Sequence, residues 1–181
     1  MGIGNGATVI ISQYFGAGNL KKVSDTVDTI YTTGIVGALP ISVIGILLSG
    51  PLLRLINTPD NTFFDARLYM IIIFAGTIFS LGYNLNSAIM QSLGDSKTPL
   101  FFLVLSSVLN VILDLTFILI FKLGVFGASL ATVLSQAISG MLCLLFIAVK
   151  VPILHITREE WRPQSKRMIE LCAYGVPMGL Q

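Results

Sequence analysis

Apolar residues run along the chain in long stretches without charge. The stretches without Asp, Glu, Lys or Arg are 1–20, 29–53, 68–94 and 123–149, with 20, 25, 27 and 27 residues. A helix needs about 20 apolar residues to cross the hydrocarbon core of a bilayer, so each stretch is long enough for one span. Between Lys97 and Lys122 the only charged residue is Asp114. This segment is therefore predicted to hold a further span.

The pattern predicts helices at about 3–15, 24–50, 64–92, 98–121 and 125–150, and another that begins near residue 165. The fold class that follows is all-α, a polytopic transmembrane helix bundle. The final apolar run, 171–181, has 11 residues and is too short to cross a bilayer. Because both ends look cut within apolar helices, the chain is expected to be a fragment of a longer transporter-like protein. The alternative is a natural small protein with frayed ends.

Composition agrees with a membrane protein. The chain is 54% hydrophobic and 11% charged, with a mean hydropathy of +0.86, whereas soluble domains carry about 25% charged residues. This excludes a soluble globular protein, a disordered chain and a collagen-like chain. The net charge of +2 argues against a nucleic-acid partner. Cys143 and Cys172 are too few for a disulfide framework or a cysteine metal site.

Basic residues in the connections predict the orientation. The connections near 16–28, 93–97 and 150–167 together hold eight Lys or Arg residues, whereas the opposite side holds Arg54, Arg67 and Lys122. Cytoplasmic connections of membrane proteins carry the excess of Lys and Arg. The first three connections are therefore predicted to be cytoplasmic, in a multi-pass protein of the inner (plasma) membrane.

Asp114 is the most informative residue. An ionised Asp at the centre of a spanning helix costs about 2.5–3.5 kcal/mol on insertion scales, and a functional site is the default interpretation. The alternative is a structural hydrogen bond across the bundle. Asn110 lies four residues earlier and shares its helix face. A bound cation favours the charged carboxylate and an apolar environment favours the protonated one, so this group is suited to exchanging a proton for a cation.

The next helix supplies matching polar residues. Counted from the turn at 122–125, Asp114 and Thr132 each lie about nine residues away, which places both about 13 Å below the outer end of the helices. The same count makes Asn110 level with Gln136, one turn deeper. Two polar layers are thus predicted between antiparallel helices. Their carboxylate, amide and hydroxyl oxygens are hard donors that suit Na⁺ or a proton relay.

Other polar positions in the spans have simpler explanations. Interhelical hydrogen bonds account for most of them, among them Ser12, Gln13, Asn84, Asn86, Ser87 and Gln91. Gln13 and Gln136 are candidates for lining a substrate cavity. Pro40 lies in mid-span, where it removes a backbone hydrogen bond and is expected to kink the helix.

Five motifs occur in order along the chain: Gln13-Tyr-Phe-Gly-Ala-Gly18, Gly94-Asp-Ser-Lys-Thr-Pro99, Asn110-Val-Ile-Leu-Asp114, Gly127-Ala-Ser-Leu-Ala-Thr132 and Gly175-Val-Pro-Met-Gly-Leu-Gln181. In this order and spacing they resemble the multidrug and toxic compound extrusion (MATE) family. The resemblance covers nearly the whole chain. This sequence departs from the family pattern at two positions: Leu115 stands where the family often has Pro, and Gln91 stands where the family commonly has Arg.

The resemblance implies a partial MATE-type bundle. The family has twelve transmembrane helices in two six-helix lobes. Residues 1–150 would form part of the N-terminal lobe, from the end of helix 2 to helix 6. Residues 151–164 would form the cytoplasmic linker between the lobes, and 165–181 the start of helix 7. The missing remainder of the same chain would then be a required partner, together with the lipid bilayer.

The resemblance also implies a function. Family members are antiporters that use a Na⁺ or H⁺ gradient to export organic cations and other amphipathic drugs, without an enzymatic reaction or a bound cofactor. Asn110, Asp114 and Thr132 match three residues of the family's N-lobe cation site. A further Asp of that site belongs to helix 1, which this chain lacks.

Three other functions compete with antiport. A lipid-linked oligosaccharide flippase of a related fold would need cationic side chains for pyrophosphate, and no Lys or Arg falls inside the apolar stretches 29–53, 68–94, 98–121 and 123–149. An intramembrane enzyme would need a base, nucleophile or metal set, whereas these stretches hold one carboxylate, Asp114, and no His. A non-transporting membrane subunit would leave the cost of Asp114 unexplained.

Overall fold

The computed structural model describes residues 2–150, and this part of the chain contains helices and no strand. The predicted linker at 151–164 and the helix near 165 lie outside the described residues. The helices are α1 (Gly2–Gly16), α2 (Leu20–Leu55), α3 (Asp60–Ala75), α4 (Thr77–Ser92), α5 (Lys97–Leu115), a π-helix (Thr116–Ile120) and α6 (Gly124–Lys150). The all-α class is confirmed, and the helices predicted at about 3–15, 24–50, 98–121 and 125–150 correspond to α1, α2, α5 with the π-helix, and α6.

Helix α6 lies at the centre of the bundle. It packs against α3, α4 and α5, while α2 packs against α3 and α4, and α1 against α2 and α4. The buried positions of α6 are mostly small: Gly127, Ser129, Ala131, Ser135, Ser139, Gly140, Cys143 and Ile147. Small residues let helix backbones approach closely in a membrane. This explains how one helix contacts three neighbours.

The exposed surface of the bundle is apolar. Three helical segments, α2, α5 with the π-helix, and α6, are long and apolar enough to cross a membrane, and α3 with α4 forms a fourth if the bent pair is one span. Large apolar side chains are exposed along them, such as Leu47 at 71% and Phe64 at 74%. Such a surface is expected where a helix faces lipid or another part of a larger bundle.

The span predicted at 64–92 is not one helix. It breaks at Gly76 into α3 and α4, which differ in direction by 46°. A Cβ at Gly76 would clash with the Val133 side chain on α6, so α6 approaches this span closely at the break. Near the break, Ser42 Oγ donates to the Phe74 carbonyl at 2.6 Å, which satisfies a backbone group there. The prediction of an uninterrupted helix was wrong because a single glycine does not reveal such a contact.

Two of the sequence motifs are helix boundaries. Gly18 has a φ of +70°, and the Asn19 N–H donates to the Tyr14 carbonyl at 3.0 Å, which closes α1. Gly94 has a φ of +89°, and the Asp95 carboxylate accepts hydrogen bonds from the N–H groups of Lys97 and Thr98, both at 3.0 Å. The Thr98 hydroxyl and these N–H groups lower the pKa of Asp95.

Candidate functional site

The α5–α6 hairpin carries the predicted site. After Leu115 the chain changes from α- to π-helical bonding, and the Phe121 N–H donates to the Thr116 carbonyl at 3.1 Å. Lys122 and Gly124 then adopt left-handed φ values of 54° and 56°, which reverse the chain. π-Helical turns are frequently found at functional sites. Here the π-helix begins two residues after Asp114.

Gly127 holds the hairpin together. A Cβ on this residue would lie 2.9 Å from Phe117 Cβ and 3.3 Å from the Phe117 backbone carbonyl carbon. Because backbone does not move aside easily, a side chain here would push the π-helix away from α6. The motif that begins at Gly127 therefore sets the distance between the two helices that carry the polar residues.

Asn110 and Thr132 meet across this interface. Asn110 Nδ2 lies 3.4 Å from Thr132 Oγ1, and the Thr132 hydroxyl itself donates to the Ala128 carbonyl at 3.1 Å. Both side chains are half-buried. Because the Thr132 hydroxyl hydrogen is used within α6, the oxygen lone pairs of Thr132 point away from that helix. These bonds also leave the Asn110 carbonyl oxygen available to a ligand.

Asp114 lies on the same face of α5, one turn beyond Asn110. Its Oδ1 atom is buried and has no hydrogen-bond partner, as is also the case for Thr33 Oγ1 and Ser139 Oγ among the residues described. A buried carboxylate without a partner is far more costly than an unpaired hydroxyl, because the charge loses its hydration. The buried Oδ1 atom of Asp114 is therefore a free acceptor for a ligand on this face of α5.

The predicted second layer is not formed as expected. Gln136 Oε1 accepts a hydrogen bond from Ser80 Oγ on α4, and Asn110 is bonded to Thr132 instead of to Gln136. The count from the turn assumed ideal α-helix on both sides, whereas the π-helix adds residues to one side without the full α-helical rise. Gln136 thus belongs to the contact between α4 and α6.

Gln13 lies on α1, which is not among the helices that pack against the α5–α6 hairpin. It is exposed near the end of α1, and α1 packs chiefly against α2 and α4. Pro40 is inside α2, which continues as one helix from Leu20 to Leu55. The kink expected at Pro40 stays a prediction.

A second polar cluster connects α2, α4 and α6. The Tyr31 hydroxyl donates to Asn86 Oδ1 at 2.5 Å, and Asn86 Nδ2 donates to the Gly140 carbonyl at 3.0 Å. Tyr31 and Asn86 also line a mainly apolar cavity of about 250 Å³ between these helices. Sequence reasoning attributed Asn86 to an interhelical bond but missed Tyr31. Nothing in the spacing distinguishes Tyr31 from the other aromatic residues of the chain.

Comparison with known proteins gives a consistent result. The MatE family model matches residues 1–116. The chain is 36% identical to the probable multidrug resistance protein YpnP of Bacillus subtilis over 185 residues, which cover 100% of this chain and 40% of that protein. It is 29% identical to the probable multidrug resistance protein YoeA of the same organism, over 99% of this chain and 40% of that protein. The chain thus spans about 40% of the length of these curated relatives.

The fold also matches a solved structure. An inward-facing multidrug resistance MATE family transporter of the MOP superfamily aligns with 99% of this chain and 41% of its own, at a TM-score of 0.91 and 23% identity. At this identity the likeness concerns the fold alone. It agrees with the helix order and packing described above.

Proposed function

Because the chain belongs to the MatE family, whose members are membrane transporters and not enzymes, we propose that it forms part of a Na⁺- or H⁺-coupled antiporter. The substrates would be organic cations and other amphipathic drugs, exported across the inner (plasma) membrane. The remainder of a longer chain would complete the transport path. The names of the curated relatives, multidrug resistance proteins, support drug efflux.

One observation carries the coupling part of the proposal: Asp114 Oδ1 is buried without a partner, one helical turn from the Asn110–Thr132 bond. A bound Na⁺ would take oxygens from the Asp114 carboxylate, the Asn110 carbonyl and the Thr132 hydroxyl, which are hard donors. A proton on Asp114 would remove the same charge. Either occupant relieves the cost of the buried carboxylate, so the empty state has a strong tendency to reload.

Antiport follows if loading of this site and binding of the substrate favour different states of the transporter. A ligand shifts a conformational equilibrium only by its difference in affinity for the two states. The carboxylate provides such a difference when one state exposes it to water and the other buries it. Gly127, which fixes the distance between the π-helix and α6, keeps the donor oxygens together.

The test is coupled transport by the full-length protein in proteoliposomes. Ethidium efflux is measured with a Na⁺ gradient alone and with a pH gradient alone, which identifies the coupling ion. Asp114→Asn keeps shape and hydrogen bonding but removes the titratable charge, so gradient-driven efflux should fall at least about tenfold. A tenfold fall in the efflux rate corresponds to about 1.4 kcal/mol of activation free energy. Thr132→Ala removes one neutral oxygen and should weaken ion affinity by less.

The matched control is Asp95→Asn, the same chemical change in a carboxylate outside the spans. Asn also serves as a helix cap, so this variant should keep coupled transport. Equal amounts of protein, measured by size-exclusion chromatography before reconstitution, separate coupling from expression. Full gradient-driven efflux by Asp114→Asn would refute the assignment of the site.

The proposed orientation has its own test. In a cysteine-free full-length protein, single cysteines replace Ser24, Ser165 and Asn61 in turn. An impermeant thiol reagent added to intact cells should label the Asn61 position and spare the other two, because the basic connections are expected in the cytoplasm. Labelling in the reverse pattern would invert the topology.

A further inference from the structure

Two arginines converge at one end of the bundle, where α2 turns into α3. Arg54 lies in the last turn of α2, and Arg67 lies in the second turn of α3. Both side chains are exposed, and both line one open cavity of about 380 Å³ together with Gly50, Pro51 and Phe63. The candidate cation site of the α5–α6 hairpin shares none of these residues.

The fold holds both guanidinium groups in place. Arg54 Cζ lies 5.9 Å from the centre of the Phe63 ring, within the range of a cation–π contact. Arg67 lies over Gly50: a Cβ on that glycine would be 3.6 Å from Arg67 Nε. Because Gly50 has no side chain, there is open space next to the Arg67 guanidinium group.

The cavity that the two arginines share is lined by basic but not by acidic side chains. Within residues 2–150, neither arginine forms an ion pair, and no carboxylate lines the cavity that both share. Asp60 lines a neighbouring cavity of about 310 Å³ with Arg54, and Asp65 lines neither cavity. Two guanidinium groups with free N–H donors around one space fit the geometry of a phosphate group, which binds bidentately to Arg.

The depth of the two arginines points to a lipid. Arg54 directly follows the charge-free stretch 29–53, and Arg67 directly precedes the stretch 68–94. Both therefore lie where the apolar spans end, at the level of phospholipid headgroups. An exposed apolar stripe leads to them along one face of α2, since Val43, Leu47 and Pro51 precede Arg54 at helical spacing and are all exposed.

We propose that Arg54 and Arg67 form a binding site for the phosphate of an anionic phospholipid, whose acyl chain lies along the stripe from Pro51 to Val43. The two positive charges favour an anionic headgroup over a zwitterionic one. The site would fix a lipid between α2 and α3. The inference does not depend on the transport activity or on its coupling ion.

The experiment measures lipid binding to the full-length protein in detergent. Thermal unfolding and native mass spectrometry are recorded with added dioleoylphosphatidylglycerol, dioleoylphosphatidylcholine, soluble glycerophosphoglycerol or inorganic phosphate. The variants are the double substitution Arg54→Gln with Arg67→Gln, and Lys122→Gln as the control. Lys122 is a basic residue of the α5–α6 turn, predicted on the same side of the membrane and outside the cavity.

Dioleoylphosphatidylglycerol should raise the unfolding temperature of the wild type and of Lys122→Gln and remain bound in the mass spectrometer. The double variant should bind it about tenfold more weakly, since it loses the charged hydrogen bonds to phosphate. Arg54→Lys with Arg67→Lys keeps the charge and should retain part of the binding. Equal lipid binding by the double variant would overturn the site. Binding of soluble headgroup or phosphate as strong as that of the lipid would overturn the lipid assignment.

Discussion

Helix α6 takes part in two polar clusters, and these differ in how completely their side chains are hydrogen-bonded. Towards α2 and α4, the Tyr31 hydroxyl, both ends of the Asn86 amide and the Gly140 carbonyl form a continuous chain of hydrogen bonds. Towards α5, Asn110 and Thr132 are joined by one long bond of 3.4 Å, and Asp114 Oδ1 is buried with no partner.

The difference is the one expected between a structural cluster and the proposed binding cluster. A fully paired buried network stabilises one arrangement of helices, because any change leaves polar groups unsatisfied in an apolar medium. A buried carboxylate with an unpaired oxygen destabilises the empty protein and gains most from a ligand. The Tyr31–Asn86 cluster is therefore expected to respond in stability, and the Asp114 cluster in ion binding.

The largest effect on stability is expected from Asn86→Leu. Asn86 is 2% exposed, and its removal leaves the Tyr31 hydroxyl unpaired and takes from the Gly140 carbonyl its hydrogen bond to α4, at a cost of about 1–3 kcal/mol. Asn84→Leu is the control on the same helix, since the exposed Asn84 amide bonds only to the Ser80 carbonyl one turn earlier. Thermal unfolding in detergent measures both. Equal losses in the two variants would show that the cluster is not the source of stability.

A smaller loss is expected from Tyr31→Phe. This change keeps the ring and removes one hydroxyl, and interhelical hydrogen bonds in membrane proteins contribute about 0.6–1.7 kcal/mol. The double variant Tyr31→Phe with Asn86→Leu should lose less than the sum of the single losses, because the two groups share a bond. Strictly additive losses in this cycle would mean that the bond contributes nothing.

The smallest effect on stability is expected from Asp114→Asn. Without bound ion, the variant should be as stable as the wild type or more stable by up to about 1 kcal/mol, because a neutral amide replaces an unpaired carboxylate. The coupling cation should stabilise the wild type but not the variant, since ligands stabilise only the state that binds them. A loss comparable to that of Asn86→Leu would make Asp114 a structural residue and remove the contrast between the clusters.

The fold was largely predictable from the sequence, and the details of the site were predictable only in part. Long apolar stretches located the spans of α2, α5 and α6 within a few residues, since hydropathy is a local property. The count from the turn paired Asp114 with Thr132 and Asn110 with Gln136, whereas in the structure Asn110 contacts Thr132 and Gln136 is bonded to Ser80 on α4. Helix α4 comes earlier in the chain, and no residue count from the α5–α6 turn includes it.

The sequence alone determined the membrane class, the number and extent of the apolar segments and the exceptional place of Asp114, because the cost of a charge in an apolar span needs no knowledge of neighbours. The tertiary structure decided the break at Gly76, the π-helix after Leu115 and the partners of Gln136 and Tyr31. These depend on how helices rotate and approach each other. Small residues such as Gly76 and Gly127 permit close approach, but which surface fills the space is settled only when the whole bundle packs.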